Sequence, residues 1–203
     1  MTGRPFKVIA QRDLCAHHRY SLHADEVEWP DGTVTSYGVF RQPEAALIVP
    51  LTEQQTIFII RQWRHSWDTD AWELPAGTVE EGEPPPATAR RELVEEVGLE
   101  AHRWESLGTA RATAVSTMRF HFFLARDLTR VERRPEIYEQ DMVIRELPLV
   151  EALGLAVDGT IQHAASIAAL YRAQRFLAQG GRPSAGSAEH PGRGQQGESS
   201  PLQ

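Results

Sequence analysis

The chain has 203 residues, of which 41% are hydrophobic and 24% are charged, and its formal net charge is -7. The length fits one domain that buries a core and carries an added segment at one end, and the composition is typical of a globular protein. The negative charge argues against non-specific binding to nucleic acid or to an anionic membrane, because both call for basic patches. It leaves room for a small polyanionic substrate whose phosphates are neutralised by a metal.

The cysteine content and the start of the chain bear on location. Cys15 is the only cysteine, so an intramolecular disulfide is excluded and a reducing compartment fits. Near the N-terminus no apolar run is typical of a secretion signal, and no stretch approaches the length that spans a membrane. We therefore expect a cytoplasmic protein.

The first 43 residues contain three short stretches with the composition of β-strands, at residues 6–10, 20–27 and 33–40. Residues 30–32, with the sequence Pro-Asp-Gly, separate the last two. Proline presets φ for a turn, and glycine accepts a positive φ. The pattern predicts an antiparallel hairpin.

Two apolar, β-branched runs follow, AALIVP at residues 45–50 and TIFIIR at residues 56–61, with a polar turn between them. Runs of this kind are typical of strands that are buried on both faces. We expect both to be buried central strands.

The segment RQWRHSWDTDAWELPAG, at residues 61–77, combines arginine with tryptophan. Arginine binds phosphate oxygens with bidentate geometry, and a tryptophan ring can stack on a nucleotide base. The candidate substrate-binding residues are therefore Arg61, Trp63, Arg64 and Trp72. For the tryptophans, packing in the core or at a dimer interface is the alternative interpretation.

A helix is predicted from Pro86 to Gly98. Proline is tolerated in a first helical turn, and glycine commonly follows the end of a helix. Ala89, Leu93 and Val97 recur at every fourth position and give this helix an apolar face, which we expect to be buried.

Glu92, Glu95 and Glu96 share another face of the same helix, since residues three and four apart are neighbours. Carboxylates this close repel one another unless a cation binds them. Arg91 lies one turn before Glu95 and is expected to pair with it, which leaves Glu92 and Glu96 to bind a metal. All-oxygen ligands suit Mg²⁺, with Mn²⁺ as an alternative. The other interpretation is a solvated acidic face.

Further elements are predicted after this helix. Strands are expected at residues 105–109, 119–125 and 142–147, and helices at residues 149–155 and 160–177. The longer helix has an apolar stripe typical of core packing, formed by Ile161, Ala164, Ile167, Ala168, Leu170, Tyr171 and Phe176. Residues 179–203 are rich in Gly, Pro, Ser, Gln and charge, which predicts disorder.

Residues 77–99 read G-x5-E-x7-R-E-U-x-E-E-x-G-U, where U is aliphatic, and resemble the Nudix box at all nine defined positions. The matching residues are Gly77, Glu83, Arg91, Glu92, Leu93, Glu95, Glu96, Gly98 and Leu99. This resemblance implies an α/β (α+β) fold in which a mixed β-sheet lies between helices. It also implies hydrolysis of a nucleoside diphosphate linked to another moiety.

Upstream, the run RQWR leading into WELPAG is similar to the corresponding segment of Nudix enzymes that cleave ADP-ribose and related nucleotide sugars. In that subfamily the segment before the core forms a small antiparallel sheet that exchanges across a homodimer. The resemblance therefore implies a dimerisation extension at residues 1–43 and a hydrolase domain at residues 44–178, followed by the tail at residues 179–203 whose composition predicts disorder. The implied activity is a Mg²⁺-dependent pyrophosphatase that releases a nucleoside monophosphate and a sugar phosphate.

The resemblance also implies roles for individual residues. The metal ligands would be Glu92, Glu95, Glu96 and the backbone carbonyl of Ala76. In similar enzymes an acidic loop supplies a residue that positions or deprotonates the attacking water. In the polar stretch before residue 142 the candidates for this catalytic role are Glu139 first, then Asp141 and Glu136.

The loop after the box departs from the subfamily. ADP-ribose hydrolases usually carry a proline-glycine pair and a glutamate there. This chain has Thr-Ala-Val-Ser-Thr-Met at residues 113–118, with Met118 in the place of the glutamate. Because that loop helps to select the substrate, GDP-mannose, FAD, NADH or a dinucleoside polyphosphate is an alternative to ADP-ribose. A nucleotide-binding regulator without catalysis is a further alternative, against which the complete box argues.

Overall fold

The structure is a computed structural model that describes residues 3–181. Its strands are Lys7–His17 (β1), Tyr20–Glu28 (β2), Val34–Arg41 (β3), Ala45–Pro50 (β4), Thr56–Arg64 (β5), Thr69–Glu73 (β6), Ala76–Thr78 (β7), Leu99–Arg111 (β8), Arg119–Arg130 (β9) and Val143–Pro148 (β10). Its α-helices are Pro85–Glu92 (α1), Leu149–Val157 (α2) and Ala164–Ala178 (α3). None of the helices in this range has the length and apolar character needed to cross a membrane.

The N-terminal sheet is antiparallel, with β1, β2 and β3 in that order. The β2–β3 hairpin confirms the prediction made from the Pro-Asp-Gly turn. Gly32 has a φ of 83°, and the Asp31 carboxylate accepts a hydrogen bond from the Thr33 N–H at 2.9 Å. Strand β1 extends to His17, well beyond the predicted end at residue 10, because it pairs with β2 along its length.

Two further sheets form the core. One has the order β7-β4-β9-β8, in which β4 and β9 are parallel and the other pairs are antiparallel. The other is antiparallel, with the order β10-β5-β6. The two predicted buried runs are β4 and β5, and residues 45–50 and 57–60 are buried as expected. They belong to different sheets.

Side chains of β4 alternate between two cores, because successive residues of a strand point to opposite faces. Leu47 and Val49 pack with α2 and α3, whereas Ala46 and Ile48 pack with α1. The sheets therefore lie between helices on two sides, which confirms the predicted mixed α+β architecture. Burial of apolar surface on both sides is the main favourable contribution to the stability of this arrangement.

Strands β8 and β9 are longer than predicted and pair antiparallel along most of their length. Strand β4 lies between β9 and β7, so that Ala45 pairs with Phe120 on one side and with Thr78 on the other. The loop that leads into β9 is therefore at the same edge of the sheet as the start of the box.

Helix α3 differs from the predicted helix. It begins at Ala164 instead of residue 160, because His163 has extended dihedral angles (φ -67°, ψ 105°). Ile161 still reaches the core, but Ala164 and Tyr171 of the predicted stripe are exposed. The buried face of the helix is shifted around its axis from the predicted stripe and includes Ala165, Ala169 and Ala173. The predicted disorder of the tail, beyond residue 181, lies outside the described residues.

Candidate functional site

The helix of the box consists of α1 and a π-helical turn at Leu93–Val97, and it ends at Gly98, which has a φ of 70°. The end at Gly98 and the burial of Ala89, Leu93 and Val97 confirm the predicted helix end and apolar face. The sequence pattern did not indicate the π-helical turn. Such turns occur frequently at functional sites.

Three buried glutamates converge beside this turn. Glu92 is the last residue of α1, Glu96 belongs to the π-helical turn and Glu139 belongs to a 3₁₀ turn after β9. Each offers a carboxylate oxygen, and these oxygens lie within 4.8 Å of one another. The three residues are only 6%, 2% and 5% exposed, so water screens their mutual repulsion weakly.

The backbone around Glu139 holds its carboxylate in place. Its Oε2 accepts a hydrogen bond from the Glu136 N–H at 2.9 Å, as part of a capping box. Arg133 donates to the backbone carbonyl of Glu139 at 2.9 Å. The other two candidates for assisting the water, Glu136 and Asp141, are exposed. Of the three candidates, Glu139 alone has its carboxylate in the buried group.

Arg91 links the acidic residues of the box. It donates to Glu95 at 2.8 Å, as the spacing predicts, but also to Glu92 Oε1 at 2.6 Å and to Glu83 at 3.2 Å. The expectation that Arg91 leaves Glu92 free is therefore wrong. Burial alone would lower the pKa of Arg91, but the hydrogen bond to Glu83 and the charge of Glu92 raise it above its ordinary value.

The buried glutamates are costly to ionise without a cation. Burial raises the pKa of Glu92 to about 7, against the opposing charge of Arg91. Burial and the nearby Glu92 raise the pKa of Glu96 well above its ordinary value, although the Ala76 N–H donates to Glu96 Oε2 at 2.8 Å. A divalent cation between these oxygens offsets both the burial and the repulsion. The all-oxygen donor set fits Mg²⁺ or Mn²⁺.

Strand β7 forms one wall of this group. Gly77 packs so closely there that an added Cβ would lie 1.7 Å from Glu92 Oε1. The position needs glycine for this close approach. Glu95 was also expected to bind the metal, but its carboxylate is paired with Arg91 and lies outside the group of three found among residues 3–181.

The four predicted substrate-binding residues lie on two faces of the β5–β6 pair. Arg61 is opposite Trp72, and its guanidinium carbon lies 5.6 Å from the centre of that ring. Trp63 shares this face by alternation and is 56% exposed. Arg64 lies on the opposite face and donates from two nitrogens to the Glu73 carboxylate, at 2.6 Å each. The structure thus brings Arg61 and Trp72 together and separates Arg64 from them.

Sequence reasoning missed three residues next to Arg64. Glu73 is 1% exposed, and His163 Nδ1 lies 3.3 Å from its Oε2 and 2.9 Å from Ser166 Oγ. Burial lowers the pKa of His163, so the imidazole is neutral at pH 7. Glu73 lies within the WELPAG run, but that run does not indicate that Glu73 pairs with Arg64 and lies beside His163. No local pattern indicates His163 or Ser166, because α3 reaches this place only through tertiary packing.

The loop at residues 112–118, where the chain departs from the subfamily, is tied to the end of β3. The Phe40 N–H donates to the Val115 carbonyl at 2.8 Å. The Gln42 side chain donates to Ser116 Oγ at 2.6 Å. The N-terminal sheet therefore holds this loop directly.

Comparison with known proteins adds to this geometry. Residues 41–170 match the NUDIX domain family. The chain is 34% identical over 174 residues to the ADP-ribose pyrophosphatase of Mycobacterium tuberculosis, with 83% of each chain covered. It is 32% identical over 149 residues to the methanol dehydrogenase activator of Bacillus methanolicus, with 72% of this chain and 80% of that one covered.

A solved structure, the crystal structure of an ADP compounds hydrolase, has a TM-score of 0.79 to this chain at 21% identity. The match covers 90% of this chain and 99% of that one. At this identity the likeness shows the fold alone. With the complete box, the family match and the shared fold, the chain belongs to the Nudix family.

Proposed function

We propose that the chain hydrolyses the diphosphate bond of a nucleoside diphosphate sugar, with ADP-ribose as the first candidate, in a reaction that depends on Mg²⁺ or Mn²⁺. The observation that carries this proposal is the buried group of Glu92, Glu96 and Glu139 beside the box helix. Membership of the Nudix family and 34% identity to a relative named ADP-ribose pyrophosphatase support the class of reaction.

In the proposed reaction a water oxygen bonds to one phosphorus, and the bridging P–O bond breaks so that the bridging oxygen leaves with the other phosphate. ADP-ribose then gives AMP and ribose 5-phosphate. The attacking water loses a proton, for which a positioned carboxylate is a suitable acceptor. We assign this role to Glu139, whose carboxylate reaches the buried group from outside the box and is held by its capping box.

Glu92 and Glu96 are the proposed main metal ligands, together with the Ala76 carbonyl and Glu95. A bound divalent ion supplies charge neutralisation and polarisation of the phosphoryl oxygens. Glu95 is shared between this role and its ion pair with Arg91.

Arg61, Trp63 and Trp72 form the surface that we propose for the substrate, because a guanidinium and an exposed indole offer phosphate contact and base stacking. Arg64 uses Nε and one terminal nitrogen on Glu73, which leaves its other terminal nitrogen for a phosphate oxygen. The bidentate ion pair thus holds the guanidinium in one orientation.

A different nucleotide is the second candidate substrate. The observation that favours it is the loop at residues 112–118, where Met118 replaces the usual glutamate and Gln42 ties Ser116 to the N-terminal sheet. GDP-mannose, FAD, NADH and dinucleoside polyphosphates remain the alternatives. The relatives themselves carry different names, one an ADP-ribose pyrophosphatase and one a methanol dehydrogenase activator.

We further propose that residues 1–43 are a dimerisation extension of a hydrolase domain at residues 44–178, in a cytoplasmic homodimer. The N-terminal sheet exposes the large apolar side chains of Ile9, Leu14, Tyr20, Val34, Tyr37 and Phe40. The rings of Tyr20 and Phe40 stack with their centres 5.9 Å apart, so part of this apolar surface is contiguous, as is typical of interaction surfaces. Cys15 of the same sheet is an exposed free thiol, which agrees with a reducing compartment.

The wild-type protein should have twice the chain mass of 22.8 kDa by light scattering at micromolar concentration. Val34→Glu places a charge on the proposed interface and should give monomers. Val150→Glu, at a more exposed valine of α2, is the matched control and should leave the dimer intact. A monomeric wild type contradicts the proposed interface.

The proposed function is tested by phosphate release from a nucleotide panel with Mg²⁺ or Mn²⁺, coupled to a phosphatase. ADP-ribose should lead by about tenfold or more in kcat/KM. Glu96→Gln keeps the side-chain size but removes the charge, and should lower kcat by about 100-fold or more. Glu100→Gln, at an exposed position, is the control. A lead by another nucleotide supports the second candidate, and binding without cleavage by the wild type indicates a regulator.

Gly77→Ala should displace the Glu92 carboxylate, because the new Cβ would lie 1.7 Å from Glu92 Oε1. We expect kcat to fall by about 100-fold, as is typical when a group at the reacting centre moves by about 1 Å. Gly154→Ala in α2 is the control: its Cβ meets nothing within 4 Å, so activity should stay and stability should rise by about 0.5 kcal/mol. Equal kcat for Gly77→Ala and wild type would show that Glu92 does not need this position.

Stability without metal should fall as the pH rises through neutrality. The folded-state pKa values of Glu92, about 7, and of Glu96 lie above the ordinary value of 4.5. The folded state therefore binds these two protons more tightly than the unfolded state does. The resulting stabilisation is fully present below pH 4.5 and is lost as the pH rises through the folded-state pKa values. Thermal unfolding in EDTA should therefore show a falling Tm between about pH 5.5 and pH 8. Mg²⁺ should raise Tm most at the upper end, because ionised carboxylates bind it. Glu96→Gln should weaken both effects, and a metal-free wild-type Tm that rises over this interval contradicts the assignment.

A further inference from the structure

A buried polar chain joins the first turn of α3 to the end of β6. Ser166 is fully buried, and its hydroxyl oxygen accepts a hydrogen bond from the Leu74 N–H at 2.9 Å. His163 Nδ1 lies 2.9 Å from the same oxygen and 3.3 Å from Glu73 Oε2. None of the residues in this buried polar chain belongs to the Nudix box.

Glu73 is the charged member of this chain. Both of its oxygens accept hydrogen bonds from Arg64, and the residue is 1% exposed. A buried carboxylate is tolerated only when such partners offset its lost hydration. Because a negative oxygen faces His163 Nδ1, the hydrogen of the neutral imidazole belongs on that nitrogen. The hydrogen-bond partner of Nδ1 is Ser166 Oγ, and the carboxylate that holds Arg64 lies at ion-pair distance from the same nitrogen.

The buried polar chain is connected to the group of Glu92, Glu96 and Glu139 through a short, stiff backbone segment. Leu74 lies two residues before Ala76, whose N–H donates to Glu96 Oε2 at 2.8 Å. Pro75, between them, has a restricted φ, and its carbonyl accepts a hydrogen bond from the Ile48 N–H at 2.9 Å. A displacement of the Leu74 amide is therefore passed to Ala76 with little flexibility to absorb it.

We propose that Ser166 and His163 are positioning residues for the metal and substrate site. Ser166 holds the Leu74 amide, so that Ala76 keeps its hydrogen bond to Glu96. His163 orients the serine hydroxyl and supports the carboxylate that holds the arginine proposed for phosphate contact. The role of His163 in supporting Arg64 rests on the proposed function. The effect of both residues on metal affinity can be measured without any nucleotide.

Ser166→Ala removes the acceptor from the buried Leu74 N–H. We expect its affinity for Mn²⁺ to fall about tenfold, which is typical when a group that orients a metal ligand is lost. Free Mn²⁺ is measured by electron paramagnetic resonance without nucleotide, and circular dichroism checks the fold. Gln174→Ala, at an exposed position of the same helix, is the control and should bind Mn²⁺ as the wild type does. Unchanged Mn²⁺ affinity in folded Ser166→Ala overturns the proposal.

A second pair of variants decides the question if Ser166→Ala does not fold. His163→Asn keeps an amide donor near the Nδ1 position, and His163→Leu removes it at similar size. The asparagine variant should stay within about twofold of wild-type Mn²⁺ affinity, while the leucine variant should lose about tenfold. A merely structural role would not be rescued by the donor, so equal affinities in the two variants overturn the proposal. If the wild type binds Mn²⁺ but cleaves no nucleotide, the proposed function fails. The Mn²⁺ affinities of the variants still test the positioning roles of Ser166 and His163.

Discussion

The mutual repulsion of three buried carboxylates is the constraint around which the site is built. Two like charges about 4 Å apart cost about 4 kcal/mol near a protein surface, against about 1 kcal/mol in bulk water. Arg91 reaches Glu92, and the Ala76 N–H reaches Glu96, but the pKa values of both glutamates remain raised. The protein's own partners therefore offset only part of the cost. The site fits a divalent cation because the remaining charge has no other compensation among these contacts.

Holding such a group together requires a rigid frame, which the two cores provide. Strand β4 contributes side chains to both, so the box helix on one side and α2 and α3 on the other are fixed to the same strand. Gly77 lets β7 approach Glu92 closely, and Ser166 ties the segment before β7 to α3. The carboxylates are thus supported from elements that are distant in sequence, and no single element positions them.

The loop proposed to select the substrate lies in a different part of the molecule. The loop at residues 112–118 is joined to β3 through Phe40 and Gln42, so its conformation depends on the N-terminal sheet. Arg61 and Arg64 lie on opposite faces of β5–β6, which places the two arginines proposed for phosphate contact in distinct environments. The residues proposed for selecting the substrate are therefore held by other contacts than the buried carboxylates of the box.

The sequence by itself determined the box, the hairpin, the buried strands and the burial of the apolar helix face, because each depends on local spacing or on turn chemistry. It also indicated Glu139 among three acidic residues, though only the tertiary structure shows its carboxylate beside Glu92 and Glu96. Tertiary packing alone decided that the Ala76 N–H reaches Glu96 and that α3 brings Ser166 to Leu74. These contacts join residues through space, and neither periodicity nor residue type along the chain carries that information.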